Sequence, residues 1–101
     1  MTTDQTQLLE NAQHVAAILK QLANPYRLMI LCSITTKELT VGELNKQVDL
    51  SQSALSQHLA KLRASNIVST RRESQTIYYR IADQKISYLL EVLQQQFCND
   101  S

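Results

Sequence analysis

A mainly α-helical fold carrying one β-hairpin is the class this sequence predicts, and three observations predict it. Apolar residues recur at helical spacing near both ends of the chain. In the middle, two short segments carry helix-start signals only about ten residues apart. Between residues 67 and 82 the pattern changes to two β-prone runs separated by a few polar residues.

Each element follows in order. Leu8, Ala12, Val15, Leu19 and Leu22 step by four and three, which predicts an amphipathic helix over 5–22. Asn24-Pro25 reads as an N-cap followed by proline at the first helical position. The helix it opens carries Leu28, Met29, Ile30, Leu31, Cys32 and Ile34, so burial on most sides is expected. Thr40 and Glu43 fit a capping box for a short helix through about Val48. Asp49-Leu50 makes a tight turn, and Ser51 caps a helix from Gln52 to Ser65. Two helices joined this closely are a helix-turn-helix, placed at 41–65.

Ile67–Arg72 and Thr76–Ile81 then form a hairpin, with Glu73-Ser74-Gln75 between them and no glycine to fix the register. Tyr78 and Tyr79 point to opposite faces of it, one of them to the core. Ile86, Leu89, Leu90, Leu93 and Phe97 make one stripe on a last helix over 83–97. The hairpin, at 67–82, stands as a wing beside the helix-turn-helix. The architecture is α-α-α-α-β-β-α in one domain, 1–101.

At 101 residues and 44% hydrophobic side chains the chain can build a core, though a small one that pairing with a second copy would help. It has one glycine and one proline and no low-complexity segment, which argues against disorder away from the ends. No apolar run approaches the roughly 20 residues of a membrane span. The polar start, Met1-Thr2-Thr3-Asp4, lacks the basic region of a signal peptide, so the expected compartment is the cytoplasm. An enzyme is not expected. There is no Cys-x-x-Cys, and no nucleophile-base set on a glycine-rich turn.

Charge is unevenly spread. Residues 41–82 hold Lys46, Lys61, Arg63, Arg71, Arg72 and Arg80 against Glu43, Asp49 and Glu73, while 1–40 balance and 83–101 are net acidic. The basic centre coincides with the helix-turn-helix and wing, which points to nucleic acid. On the helix 52–65, Leu55, Leu59 and Leu62 face the core. Gln52, Ser53, Ser56, Gln57, Ala60 and Lys61 form the other face, without one acid. Solvated helix faces usually mix in Glu and Asp. An acid-free face instead suits the DNA major groove, where Gln can bond adenine bidentately and Ser can donate or accept.

The expected DNA contacts are Ser51, Gln52, Ser53, Ser56, Gln57, His58 and Lys61 from this helix. Arg71, Arg72 and Gln75, read as crowding the hairpin tip, join them from the wing. His58 reads equally as a phosphate contact or as bonded to a neighbouring carbonyl. A winged helix that binds protein is the reading from another class, and the acid-free face argues against it.

The words LANPYRLMILC, ELTVGEL, LSQSALSQHLAKLR and TRRESQTIYYRI resemble the ArsR/SmtB family of bacterial winged-helix repressors over about residues 15–98. The resemblance implies a homodimer, paired through the helices 5–22 and 83–97, on an inverted-repeat operator in double-stranded DNA, released by an inducer. Metal-sensing members place cysteines in the word matching ELTVGEL, where this chain has Thr40 and Gly42, or draw Asp and His from the last helix, where it has no His. Two thiols and His14 do not furnish a closed four-ligand site within one subunit, so no metal or other cofactor is expected. The remaining pair, Cys32 and Cys98, resembles a metal-free branch, the persulfide-sensing repressors of the BigR and SqrR type, with the HlyU group as neighbour. That branch implies operator binding switched by Cys32 and Cys98 with reactive sulfur species as inducer. Cys32 taken alone reads as a small buried hydrophobe. Cys98 falls off the apolar stripe of its helix. Inert thiols, or a peroxide or metal cue, remain open.

Overall fold

A computed structural model describes residues 4–98. It has five helices and a three-stranded antiparallel sheet. These are α1 (Gln5–Leu22), α2 (Pro25–Ser33), β1 (Leu39–Thr40), α3 (Val41–Gln47), α4 (Gln52–Ala64), β2 (Val68–Glu73), β3 (Thr76–Ile81) and α5 (Gln84–Phe97).

Side-chain caps set the helix starts. Asp4 accepts from the Gln7 N–H, and Asn24 accepts from both Tyr26 and Arg27 ahead of Pro25 in the first turn of α2. Thr40 and Glu43 close a reciprocal capping box on α3. Ser51 accepts from Ala54 to open α4. Between α3 and α4, Asn45 Nδ2 donates to the Leu50 carbonyl at 2.8 Å, which ties the turn of the helix-turn-helix back to its first helix.

α4 ends in a Schellman motif. Ile67 N–H returns to Leu62 O at 2.9 Å and Asn66 N–H to Arg63 O at 3.0 Å, with Asn66 in the left-handed region at φ 60°. This turns the chain directly into β2. The hairpin turn is shorter than the sequence suggests: Glu73 pairs with Thr76, leaving only Ser74 and Gln75, with Ser74 at φ 60° supplying what a glycine usually supplies. β3 lies at the centre of the sheet, between β2 and β1, with Leu39 opposite Tyr79 and Thr40 opposite Tyr78. The two-residue β1 has no counterpart in the sequence reading, because two residues are too few to show a period.

One core gathers Leu22, Ile30, Leu31, Ile34, Leu39, Leu44, Val48, Leu55, Leu59, Leu62, Ile67, Val68, Ile86 and Leu90. It draws on every helix and on the sheet, so α4 and the wing are held on a common base. Truncating a fully buried leucine such as Leu55 or Leu59 costs about 2–5 kcal/mol. Tyr79 packs against this core and Tyr78 does not.

One expectation about burial needs correction. α2 is buried at Ile30 and Leu31, but Met29 is 44% exposed, so the helix is covered on one side only. The apolar stripe of α1 meets the core only at its end: Leu22 is buried, whereas Leu8, Val15 and Leu19 are 60%, 50% and 50% exposed. The α5 stripe likewise buries Ile86 and Leu90 and leaves Phe97 exposed. Among the described residues no helix is long and apolar enough to cross a membrane.

Candidate nucleic-acid interface and thiol groove

The capped, core-anchored α4 presents Gln52, Ser53, Ser56, Gln57, Ala60 and Lys61 to solvent, all exposed, with Leu55, Leu59 and Leu62 fully buried behind them. Ser51 is exposed too, but its hydroxyl is occupied by the Ala54 N–H at 3.1 Å. Lys61 and Arg63 lie in the last turn, where cations complement the helix dipole.

His58 is half-buried on the flank of α4. Its Nδ1 accepts from Arg27 Nε at 3.2 Å, so its intramolecular partner is a guanidinium and not the carbonyl the sequence suggests. Burial, Arg27 and Lys61 together push its pKa below the ordinary value. Arg27 is in turn fixed by Gln21, through Oε1 at 2.8 Å and the backbone oxygen at 3.3 Å. Sequence reading missed Arg27 because its partner lies 31 positions away and leaves no local pattern.

The wing separates its two adjacent arginines. Arg72 and Gln75 are exposed at the tip, with Arg72 Nε on the Ser74 carbonyl at 3.1 Å. Arg71 is not at the tip. It sits in mid-strand opposite Tyr78, stacked over that ring at 4.6 Å. It also pairs with Glu38 at 3.0 Å and Glu73 at 2.9 Å. The pairing pushes the Arg71 pKa further up and holds Glu38 below the usual carboxylate range. Alternation along β2 explains the split: neighbours in a strand face opposite ways.

Cys32 in α2 and Cys98 at the C-cap of α5 line one groove of about 620 Å³, together with Leu28, Met29, Glu91, Gln94 and Gln95. Neither forms a disulfide; Cys32 is half-buried and Cys98 exposed. Burial pushes the Cys32 thiol up, a hydrogen bond with Gln94 works against that, and Cys98 adds to the rise. Among the described residues no group of three or more His, Cys, Asp or Glu could hold a metal ion.

A capped helix-turn-helix with an acid-free outer face, followed by a hairpin that exposes Arg72 near its tip, defines a winged helix-turn-helix DNA-binding protein. The sequence profile described as "Bacterial regulatory protein, arsR family" matches residues 24–70, from the α2 cap into the wing. The chain is 44% identical to the transcriptional activator HlyU of Vibrio cholerae over 88% of its own length and 82% of that protein's. It is 46% identical to the biofilm growth-associated repressor of Agrobacterium fabrum, over 88% of this chain and 76% of the relative.

Among solved structures, reduced HlyU from Vibrio cholerae superposes with a TM-score of 0.86 at 42% identity, covering 91% of this chain and 97% of that one. A homodimeric winged helix-turn-helix DNA-binding domain from Mycobacterium bovis superposes with a TM-score of 0.80 at 28% identity, covering 95% and 89%. The chain belongs to the arsR family of bacterial regulatory proteins. It is a DNA-binding transcription regulator and not an enzyme.

Proposed function

We propose that this chain is a cytoplasmic homodimeric repressor that holds an inverted-repeat operator with α4 and the wing, and releases it when Cys32 and Cys98 are bridged by a reactive sulfur species. The observation that carries the reading is the shared groove of the two thiols. It joins α2, which packs behind the helix-turn-helix, to the end of α5. A covalent tie there couples the DNA-reading elements to a helix that still exposes Tyr88 and Phe97. The biofilm growth-associated repressor among its relatives and the homodimeric mycobacterial domain support the repressor and dimer parts.

The chemistry needs an oxidant, and a polysulfide R–S–S–S–R supplies it. The exposed Cys98 thiolate attacks the central sulfur of the polysulfide and expels one thiolate, RS⁻, leaving a Cys98 Sγ–S–S–R adduct. The Cys32 thiolate then attacks the sulfur bound to Cys98 Sγ and expels the second RS⁻. One sulfur atom remains between Cys32 Sγ and Cys98 Sγ; the two thiols are oxidised and the polysulfide is reduced. Such a bridge spans more than a direct disulfide, which needs Cα atoms within about 7 Å. The raised Cys32 pKa suits it to the second step, where attack is intramolecular.

The test is binding to a duplex selected from random-sequence DNA by the reduced protein. Polysulfide should release wild-type protein and add one sulfur to its intact mass after loss of two hydrogens. Cys32→Ser and Cys98→Ser should bind the duplex and fail to release it. In the same assay Gln57→Ala should lose about 1–3 kcal/mol on the selected duplex and far less on unrelated DNA. A doubly substituted protein that still dissociates with polysulfide refutes the thiol switch.

A further inference from the structure

The hydrogen bond between α2 and α4 fixes more than packing. An imidazole nitrogen that accepts a hydrogen bond carries no proton, and a guanidinium does not give its protons up. With Arg27 Nε donating to Nδ1, the single proton of a neutral His58 ring sits on Nε2. Among the described residues Nε2 has no hydrogen-bond partner. The Arg27 hydrogen bond holds the ring in this orientation, with the Tyr26 ring centre 6.4 Å away. Arg27 is itself held by Gln21 and, through its backbone N–H, by the Asn24 cap. One guanidinium therefore ties the end of α1 and the start of α2 to the flank of α4.

We propose that Arg27 is a positioning residue for DNA binding: it holds His58 as the Nε2–H tautomer, and α4 offers that N–H to a phosphate of the DNA backbone. The proposal rests on the reading of α4 as the DNA-contacting helix. His58 adjoins Gln57 and lies one turn before Lys61 on that helix. Lys20, Arg27 and Lys61 line a neighbouring groove that has no carboxylate among its lining residues, so the surroundings favour an anion. A protonated ring would set two donors and two cations against each other at the Arg27 contact.

Nitrogen-15 spectra of the histidine side chains in the reduced protein, with and without Arg27→Met, test the first half. Wild type should show His58 as the Nε2–H tautomer, and Arg27→Met should show a mixture. Should Arg27→Met fail to fold, Arg27→Leu, which likewise carries no donor, takes its place with the same readout. The second half is read on the selected duplex and on an unrelated one. His58→Gln keeps a donor at the Nε2 position, whereas His58→Asn keeps only the acceptor toward Arg27. His58→Asn and Arg27→Met should weaken both duplexes by about two- to tenfold, and His58→Gln should restore most of the loss. An Nδ1–H tautomer in wild type, a tautomer unmoved by Arg27→Met, or equal effects of Gln and Asn overturns the proposal. If Gln57→Ala leaves every duplex unaffected, the reading of α4 fails, and the phosphate contact with it. If Gln57→Ala weakens the selected duplex while the tautomer is wrong, the role of Arg27 alone fails.

Discussion

Arg71 and Glu38 meet across the edge of the sheet: Nε lies 3.1 Å and Nη2 3.0 Å from the same carboxylate oxygen, so an arginine of the wing is already paired in the free protein. Glu73 and the Tyr78 ring complete its surroundings. The adjacent Arg72 faces the other way and has no carboxylate partner among the described residues.

The two arginines should therefore answer salt differently. A phosphate-bound cation releases counterions, and each one lost flattens the salt dependence of binding by roughly one unit of slope. Arg72→Ala should show that change on every DNA sequence. Arg71→Ala should flatten the slope less, because in the free protein Glu38 and Glu73 already offset its charge. Glu38→Gln leaves Arg71 with Glu73 as its one carboxylate partner and should steepen the slope relative to wild type. Titrations of binding against salt concentration check all three, and identical slopes for Arg71→Ala and Arg72→Ala would remove the distinction.

Two non-glycine residues stand at φ 60°, Asn66 closing α4 and Ser74 in the hairpin turn. Left-handed backbone costs most residues about 1–2 kcal/mol, and Asn tolerates it better than Ser. Ser74→Gly should thus raise stability by up to about 1 kcal/mol, and Asn66→Gly by less. Asn66→Val should destabilise by more than 1 kcal/mol, roughly, since a β-branched side chain is least suited to that region. Denaturant midpoints report the order; a Ser74→Gly protein less stable than wild type would mean the turn is held by something else.

How much of this was legible in sequence follows from range. Helix starts are local, and Asn24-Pro25, Thr40 with Glu43, and Ser51 each announce the cap they form. The outward face of α4 is legible because three leucines at helical spacing fix its inward face. β1 is not legible, since only its pairing with β3 makes it a strand. Arg71 is misread because the charge of its partner Glu38 is 33 positions away. The α1 stripe shows the opposite limit. Periodicity correctly gives an amphipathic helix, but it says nothing of whether the apolar face is covered by the chain itself.

Stability should carry a signature of His58 in mild acid. Its pKa in the folded protein lies below the ordinary value of about 6.5, mainly through burial, with Arg27 and Lys61 adding to it. The unfolded chain then binds a proton that the folded one refuses. The contribution is fully present above about pH 6.5 and is lost as pH falls from there through the lower folded value. Denaturation of wild type and His58→Gln across that window should show the wild-type curve falling more steeply. Parallel curves would assign the acid sensitivity to other groups.

The uncovered face of α1 bears on assembly. Leu8, Val15 and Leu19 lie along one side of the helix and remain 60%, 50% and 50% exposed, while Leu22 and the half-buried Ile18 reach the core. Burying a leucine or valine side chain is worth about 1.5–3 kcal/mol, so three of them left in water form a strong driving force for association. α5 adds Tyr88 and Phe97, 69% and 81% exposed. A second copy, related by a two-fold axis, would cover both helices and set two α4 helices at the spacing of an inverted repeat. Val15→Glu places a charge in the middle of that face without touching the core, so the protein should keep its helical circular dichroism. Sedimentation velocity should then find a monomer where wild type is a dimer, and binding to a duplex carrying two half-sites should fall to that of a single half-site. A Val15→Glu protein that still sediments as a dimer would place the interface elsewhere.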